Sequence, residues 1–493
     1  MRSIRYTMCC CAVLALLVVG CTTTKVGQSH GGMETRDTRI GKLVFENGYP
    51  TQETTDKLRE ARRFHRATQA YIWALPIVSM ADFVSTFKAN LHMEYGQFIR
   101  LNTYEDLSFG ITANATTDYL VSWINLSQDP WVLEIPAGAA AGFLNDMWQR
   151  PVVDLGVPGP NEGKGGKFLV LGPDQKEPDD TKGYRVARSV NNNTLVLLRI
   201  LETDPKRKAE MSSGIRLYPY VERKAPRQTV IEAPGGRQWS SSQPRGLGYW
   251  ERLSWIINQE PIHERDGFMM AFLKDLGIEK GKPFEPTPEM VALLQEASLV
   301  GESMTKALDW NNELDVAHYA KGSYWGNAIA VGITQRQPGY FELDERAAWF
   351  YEALTTSKGM KSTTPGVGSA YLGGYKDSDG EWLDGAKNYT LRVPANAPAK
   401  RFWSVTVYHN DTRYLIQNKQ KIADRSSRMD LIKNKDGSVD IYFGPTPPKG
   451  REKNWIPTNP GEGWFSYFRL YGPLESYFDR SWVLPDIEKA AWK

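Results

Sequence analysis

Apolar positions along the chain change rhythm several times. From Thr54 onward, Leu58, Ala61, Phe64, Thr68, Tyr71 and Leu75 recur near helical spacing, which predicts a helix that Pro76 should limit. Short runs rich in Val, Leu, Ile and Trp follow: Tyr119–Leu126, Trp131–Ile135, Lys167–Leu171 and Thr194–Leu201. Clusters of Pro, Gly and Asn/Asp separate them, so they read as strands. Ala233–Gly248 is rich in Gly, Pro, Ser and Arg and reads as a boundary. Helical texture returns with Phe268, Phe272, Leu273 and Leu276, stopping at Gly277. Thr287-Pro288 opens another helix, with Met290, Leu293, Leu294 and Ala297 on one face. After Gly322 the strand texture resumes in Tyr389–Val393, Phe402–Tyr408 and Val439–Phe443, with turn signals at Asp379-Gly380, Asp384-Gly385 and Asp436-Gly437. The pattern predicts two β-rich modules joined by a helical connector.

The amino terminus has a different logic. Arg2 and Arg5 precede an apolar run, Met8 to Val19, of signal-peptide length. Val18-Val19-Gly20-Cys21 then resembles the lipobox of bacterial lipoproteins. That resemblance implies cleavage before Cys21 and acylation of its sulfur and new amino group, so residues 1–20 are the expected signal and 21–45 a lipidated, flexible tether. Thr22, not Asp, follows the modified cysteine, which favours the outer membrane, facing the periplasm. No later apolar run reaches the roughly 20 residues of a membrane span. All four cysteines lie within the first 21 residues, so the mature chain is expected to have neither disulfide nor thiol chemistry. A formal charge of +3 implies no nucleic-acid partner. Aromatics make up 12% of the residues; they suit flat ligands and sugar rings, but large β-sandwich cores consume them too.

Specific runs in the second half carry a family resemblance. Asn388 to Leu391, Phe402 to Tyr408, Asp436-Gly437-Ser438, Asn454-Trp455-Ile456 and Phe468 to Pro473 resemble domain of unknown function 1214. In the first half, Ala74-Leu75-Pro76, Asn114 to Tyr119, Asp146-Met147-Trp148, Gly163 to Lys167 and Leu198-Arg199 resemble its companion, domain of unknown function 1254. The resemblance implies a β-rich α+β fold of two jelly-roll-like β-sandwich domains and a homo-oligomer, but no established activity. The expected boundaries are 46–235 for the first domain, 236–320 for the connector and 321–493 for the second domain. One departure stands out: Thr116 occupies the place where relatives carry an acidic residue.

Chemistry is thinly signposted. Six histidines show no metal spacing, leaving any metal unknown, and no cofactor motif is evident. Ser85-Thr86-Phe87-Lys88 and Ser303-Met304-Thr305-Lys306 match Ser-x-x-Lys but lack the accompanying motifs. Candidate catalytic residues are Asp146, Arg199 and His409, the last at a strand end beside Asn410 and Asp411. Candidate ligand-binding residues are Trp148, Tyr119, Asn114 and Tyr375. Arg199 follows the apolar run Leu195–Leu198; if buried it must find a partner, an internal carboxylate being preferred over a bound anion. Two functions are carried forward. The first is a lipid-anchored protein binding a small organic or glycan ligand in a cleft between its β domains. The alternative is a cofactor-independent hydrolase or lyase using two carboxylates on such a ligand.

Overall fold

A computed structural model describes residues 32–311 and 314–492; the signal, the lipobox and Cys21 lie outside the described residues. The chain divides into two compact units, Met1–Arg62 and Arg63–Lys493. In the first, strands Met33–Thr38, Gly41–Glu46 and Tyr49–Pro50 form an antiparallel sheet. The expected tether 21–45 therefore contains regular structure. The physical cause is a pair of tight turns, at Arg39-Ile40 and at Asn47-Gly48, where both Asn47 and Gly48 take positive φ as a two-residue hairpin requires.

The helix predicted from Thr54 runs much further than Pro76 allows on its own, spanning Gln52–Ala89. A proline inside a helix removes one N–H and loosens the carbonyls a turn earlier. Side chains from elsewhere hold the carbonyls on either side of Ile72, the residue whose helical partner is lost. Tyr249 Oη donates to the Tyr71 carbonyl at 2.6 Å, and Arg346 Nη2 donates to the Trp73 carbonyl at 3.0 Å. By length and hydropathy this helix is also able to cross a bilayer, contrary to the sequence expectation, but 89% of its apolar window is buried within the protein. It is a core helix. Helix Pro288–Trp310 crosses it at Gly301, where an added Cβ would stand 2.6 Å from the Tyr71 ring.

The first β-rich half pairs two sheets. One has six strands in the order Ile231–Glu232, Phe98–Leu101, Asp118–Asn125, Asn193–Ile200, Ala140–Asn145, Pro151–Gly156. The other has four: Tyr184–Arg188, Gly166–Leu171, Trp131–Ile135, Arg216–Pro219. Alternate residues of the central strands part to opposite faces. Leu120, Ile124, Val196 and Leu198 meet Leu133, Phe168 and Val170 between the sheets. Val121, Trp123, Phe143 and Leu195 turn the other way and join a larger core containing the long helix. Both faces are thus covered, which explains why Leu195–Leu198 is uninterrupted.

The second half repeats the arrangement with a five-stranded sheet, Trp325–Asn327, Ser369–Gly374, Trp464–Pro473, Ala399–His409, Asp424–Ser426, and a four-stranded one, Trp455–Pro457, Val439–Gly444, Tyr389–Val393, Glu488–Lys489. Trp403, Val405, Phe468 and Leu470 belong to the same apolar cluster as Leu391, Ile441 and Phe443 of the smaller sheet. The fold is β-rich α+β, two sandwich-like halves with helices Leu247–Gln259, Gly267–Asp275 and Pro288–Trp310 between them in sequence. Most of the abundant Trp and Tyr serve this core: Trp123, Trp250, Trp325, Trp349 and Tyr389 are fully buried.

Candidate functional site

Between the six-stranded sheet of the first half and the five-stranded sheet of the second lies a cavity of about 110 Å³. One wall comes from strands Asp118–Asn125 and Asn193–Ile200, which contribute Tyr119, Val121, Leu197 and Arg199. Pairing fixes their alignment, with Arg199 opposite Tyr119 on the neighbouring strand. The facing wall contributes Tyr371, Tyr467 and Arg469, and here Arg469 stands opposite Tyr371. Trp239, Trp349 and Met360 close the space from irregular segments and a helix end. A volume of this order accommodates a molecule near the size of one aromatic ring.

The two arginines differ in how they are held. Arg469 donates to Thr406 Oγ1 at 3.0 Å, to the Thr112 carbonyl at 3.1 Å and to Tyr408 Oη at 2.6 Å. Its guanidinium also lies within 5.6 Å of the ring centroids of Tyr371, Tyr408 and Tyr467. Arg199, only 8% exposed, makes no ion pair and no hydrogen bond among the described residues, so the internal pair preferred from the sequence is not formed. Burial works against its charge, and the net upward direction of its pKa comes from coulombic attraction to Tyr371, Tyr119 and Tyr471, which acts only once those phenols ionise. Burial likewise pushes the Tyr119 phenol up to about 12, so that ring remains a neutral donor. Among the described residues no Asp or Glu lines the cavity. Asp424, two strands from Arg469 in the same sheet, has its carboxyl raised to about 6 by burial, with Arg425 and then Arg469 pulling the other way.

Backbone strain gathers at the same place. Thr112 and Thr355 line the cavity with φ of 40° and 66°, a region β-branched residues seldom enter. Gln149, at φ 61°, supports the second of these by accepting the Thr355 N–H at 2.5 Å. Such conformations cost roughly 1–3 kcal/mol each and collect at functional sites.

Of the residues singled out from the sequence, Asn114, Tyr119 and Arg199 line the cavity. Asn114 donates to Tyr471 Oη and accepts the Thr116 N–H at 2.9 Å; the Thr116 hydroxyl donates to the same Asn114 oxygen. Asp146, Trp148, Tyr375 and His409 lie elsewhere. Asp146 accepts the Trp148 and Arg150 N–H groups at 2.9 and 3.0 Å and pairs with the Arg150 guanidinium at 2.8 Å, closing a turn. Trp148 packs on Trp73, centroids 4.8 Å apart. His409 Nδ1 accepts the Asp411 and Thr412 N–H groups, again within a turn. Asp377 accepts the N–H groups of Asp379 and Glu381 and also shapes a turn. Sequence reasoning missed Arg469, Tyr371 and Tyr467. The signal for Arg469 was present: like Arg199, it is a charge inside an apolar strand.

Tyr375 belongs to a neighbouring buried pair of carboxyls. Glu352 accepts from Tyr375 Oη at 2.7 Å, from Trp310 Nε1 at 2.9 Å and from Tyr467 Oη, and Asp309 faces it. Burial, then the nearby Glu352, raises the Asp309 pKa far above the carboxylate range; burial raises Glu352 as well. The folded pair therefore keeps a proton that the unfolded chain releases near pH 4. Stability from this pair is present below the unfolded pKa and declines as pH rises through the folded value. Asp309→Asn, which cannot titrate, should gain Tm relative to the parent, by little at pH 5 and progressively more towards pH 9. A Tm difference independent of pH would disprove the shared proton.

Residues 96–219 match the family described as Protein of unknown function (DUF1254), and residues 368–475 match Protein of unknown function (DUF1214). The chain carries both domains. Arg199 and Tyr119 belong to the DUF1254 match, and Tyr371, Tyr467 and Arg469 to the DUF1214 match, so the cavity lies where the two domains face one another. The fold is similar to the crystal structure of the VPA0106 protein from Vibrio parahaemolyticus, with a TM-score of 0.55 and 19% identity over 87% of this chain and 100% of that one. An uncharacterized protein from Burkholderia cenocepacia aligns at a TM-score of 0.40 and 9% identity over 89% of this chain and 97% of its own. No curated protein matches the chain.

Proposed function

We propose that this protein binds a small organic molecule in the cavity between its DUF1254 and DUF1214 domains, held at a bacterial envelope membrane by lipid on Cys21. The observation that carries the binding reading is the cavity itself, enclosed by both domains and lined by aromatic and aliphatic side chains with a few polar groups, as small-molecule sites commonly are. Its volume suits a compact ligand better than a glycan chain. The strained Thr112 and Thr355 add to the case, because the backbone cost falls on the cavity wall. The carboxylate-enzyme alternative has less support, since no Asp or Glu among the described residues lines the cavity. The Asp309–Glu352 pair lies outside that lining and touches it through Tyr467.

Native mass spectrometry of the full-length chain tests the binding reading. A stoichiometric small-molecule adduct, lost on denaturation, is the expected result. An unliganded mass that no panel of small organic molecules changes would exclude it. The anchor has its own test. Cys21→Ser should shift nearly all of the protein from the membrane to the soluble fraction and abolish palmitate labelling; unchanged retention and labelling would rule the anchor out.

A further inference from the structure

Arg199 poses a question that the fold alone leaves unanswered. A guanidinium carries five N–H donors, and a charge removed from water is strongly unfavourable unless something replaces the lost hydration. Arg199 is buried in the cavity wall without a hydrogen bond or ion pair among the described residues. Two further donors share its surroundings: the hydroxyls of Tyr119 and Tyr371 also line the cavity and make no hydrogen bond among those residues. Arg469 adds a second positive charge, most of whose hydrogen-bonding capacity is committed to Thr406, Thr112 and Tyr408. Its Nε remains unpartnered. The site thus has an excess of donors and positive charge, with no carboxylate among the described residues lining it to balance them.

The neighbouring wall carries the same sign. A second cavity, of about 40 Å³, adjoins the first and shares Phe143 and Arg199 with it. Its lining includes Arg401 and Arg428, both exposed, and again no Asp or Glu among the described residues. Arg428 is braced over the Phe402 ring at 3.7 Å. Asp154 lies behind this wall, but its oxygens accept the Lys358 and Gly359 N–H groups. The exposed Arg401 and Arg428 therefore share this second cavity with the buried Arg199. Such an arrangement raises the local concentration of anions and speeds their capture.

The geometry points to a small organic monoanion as the occupant, a carboxylate on a short aliphatic or aromatic body, with Arg199 as its anchor. This rests on the ligand-binding reading of the same cavity. The planar guanidinium matches a carboxylate in a two-point hydrogen-bonded pair, and the Tyr119 and Tyr371 hydroxyls can donate to the same head group. The remaining surface, including Leu101, Val121, Phe143, Leu197 and Trp349, offers an ion nothing and so calls for an apolar body. That excludes free inorganic phosphate as a well-fitting ligand.

The test compares acids with their uncharged counterparts on the full-length chain. Benzoate and hexanoate are titrated calorimetrically beside benzyl alcohol and hexanol. The acids should bind at least 20-fold more tightly than the alcohols. Arg199→Met should weaken the acids by at least 50-fold and change the alcohols by no more than threefold, with circular dichroism verifying the fold. Arg401→Gln combined with Arg428→Gln, on exposed positions, should slow benzoate association several-fold at low salt and leave its dissociation unchanged. Equal binding of acids and alcohols, with no effect of Arg199→Met, would overturn the anion inference and leave the cavity reading standing. Failure of both series to bind would remove the cavity reading as well.

Discussion

Replacing Arg199 with methionine is expected to raise the stability of the unliganded protein by about 1–4 kcal/mol, the scale found when buried ion pairs give way to apolar side chains of similar volume, since here too a desolvated charge is removed. Arginines that organise a fold behave oppositely, because their removal strands the acceptors they served. Arg199 serves none among the described residues, and its neighbours Leu197 and Phe143 are apolar. Methionine keeps most of the length and loses the charge. Differential scanning calorimetry reads the outcome directly: a higher Tm marks a residue retained at a cost to stability, as functional residues often are. A fall in Tm of several degrees would make Arg199 a structural cation and remove the reason to look for a ligand at its head group.

The largest loss should come from Gln149→Ala, about 3–5 kcal/mol. The side chain is fully buried and joins three parts of the chain. Its Nε2 donates to the Pro76 carbonyl at 2.9 Å and to Ser79 Oγ at 2.8 Å, while Oε1 accepts the Thr355 N–H. Its own carbonyl accepts from Thr356 Oγ1 at 2.6 Å. Truncation leaves the Thr355 N–H without its partner in a buried site, costing about 1–3 kcal/mol, and the emptied volume adds a cavity cost; the Pro76 carbonyl still accepts from Ser79 Oγ at 3.2 Å. Because Thr355 forms part of the cavity wall, ligand affinity should fall with stability. Urea unfolding measures the first effect; a change below 1 kcal/mol would show that another group takes over these contacts.

The strands that alternate or end at clear turn signals were legible in the sequence. Trp131–Ile135 and Tyr389–Val393 coincide with the structure to the residue, and Thr194–Leu201 is offset by one. Strands covered on both faces were harder to read. Trp464–Pro473 has little alternation of polar and apolar residues, since Trp464, Phe468 and Leu470 face one sheet while Phe465, Tyr467 and Tyr471 face the other way. Ala140–Asn145 offers small residues where β-branched ones would have signalled a strand. Pro76 misled for a different reason: the helix around it is held by Tyr249 and Arg346, which bond the Tyr71 and Trp73 carbonyls and are remote in sequence. Half of the site was visible because Arg199 interrupts an apolar run. Its counterpart Arg469 sits in the same kind of run, yet nothing local says that the two strands face one space. His409 attracted notice through polar neighbours, of which Asp411 is its own turn partner, and Asp146 through the Asp146-Met147-Trp148 run, whose Trp148 N–H it accepts in closing a turn.

The cavity has walls that belong to strands far apart along the chain, Asn193–Ile200 and Trp464–Pro473. Contacts between such distant segments require closing a long loop and tend to form late in folding. Interactions absent from the rate-limiting step leave the folding rate almost untouched and act on unfolding instead. An occupant that touches both walls therefore works as a kinetic clamp. It lengthens the life of the native state without hastening its formation.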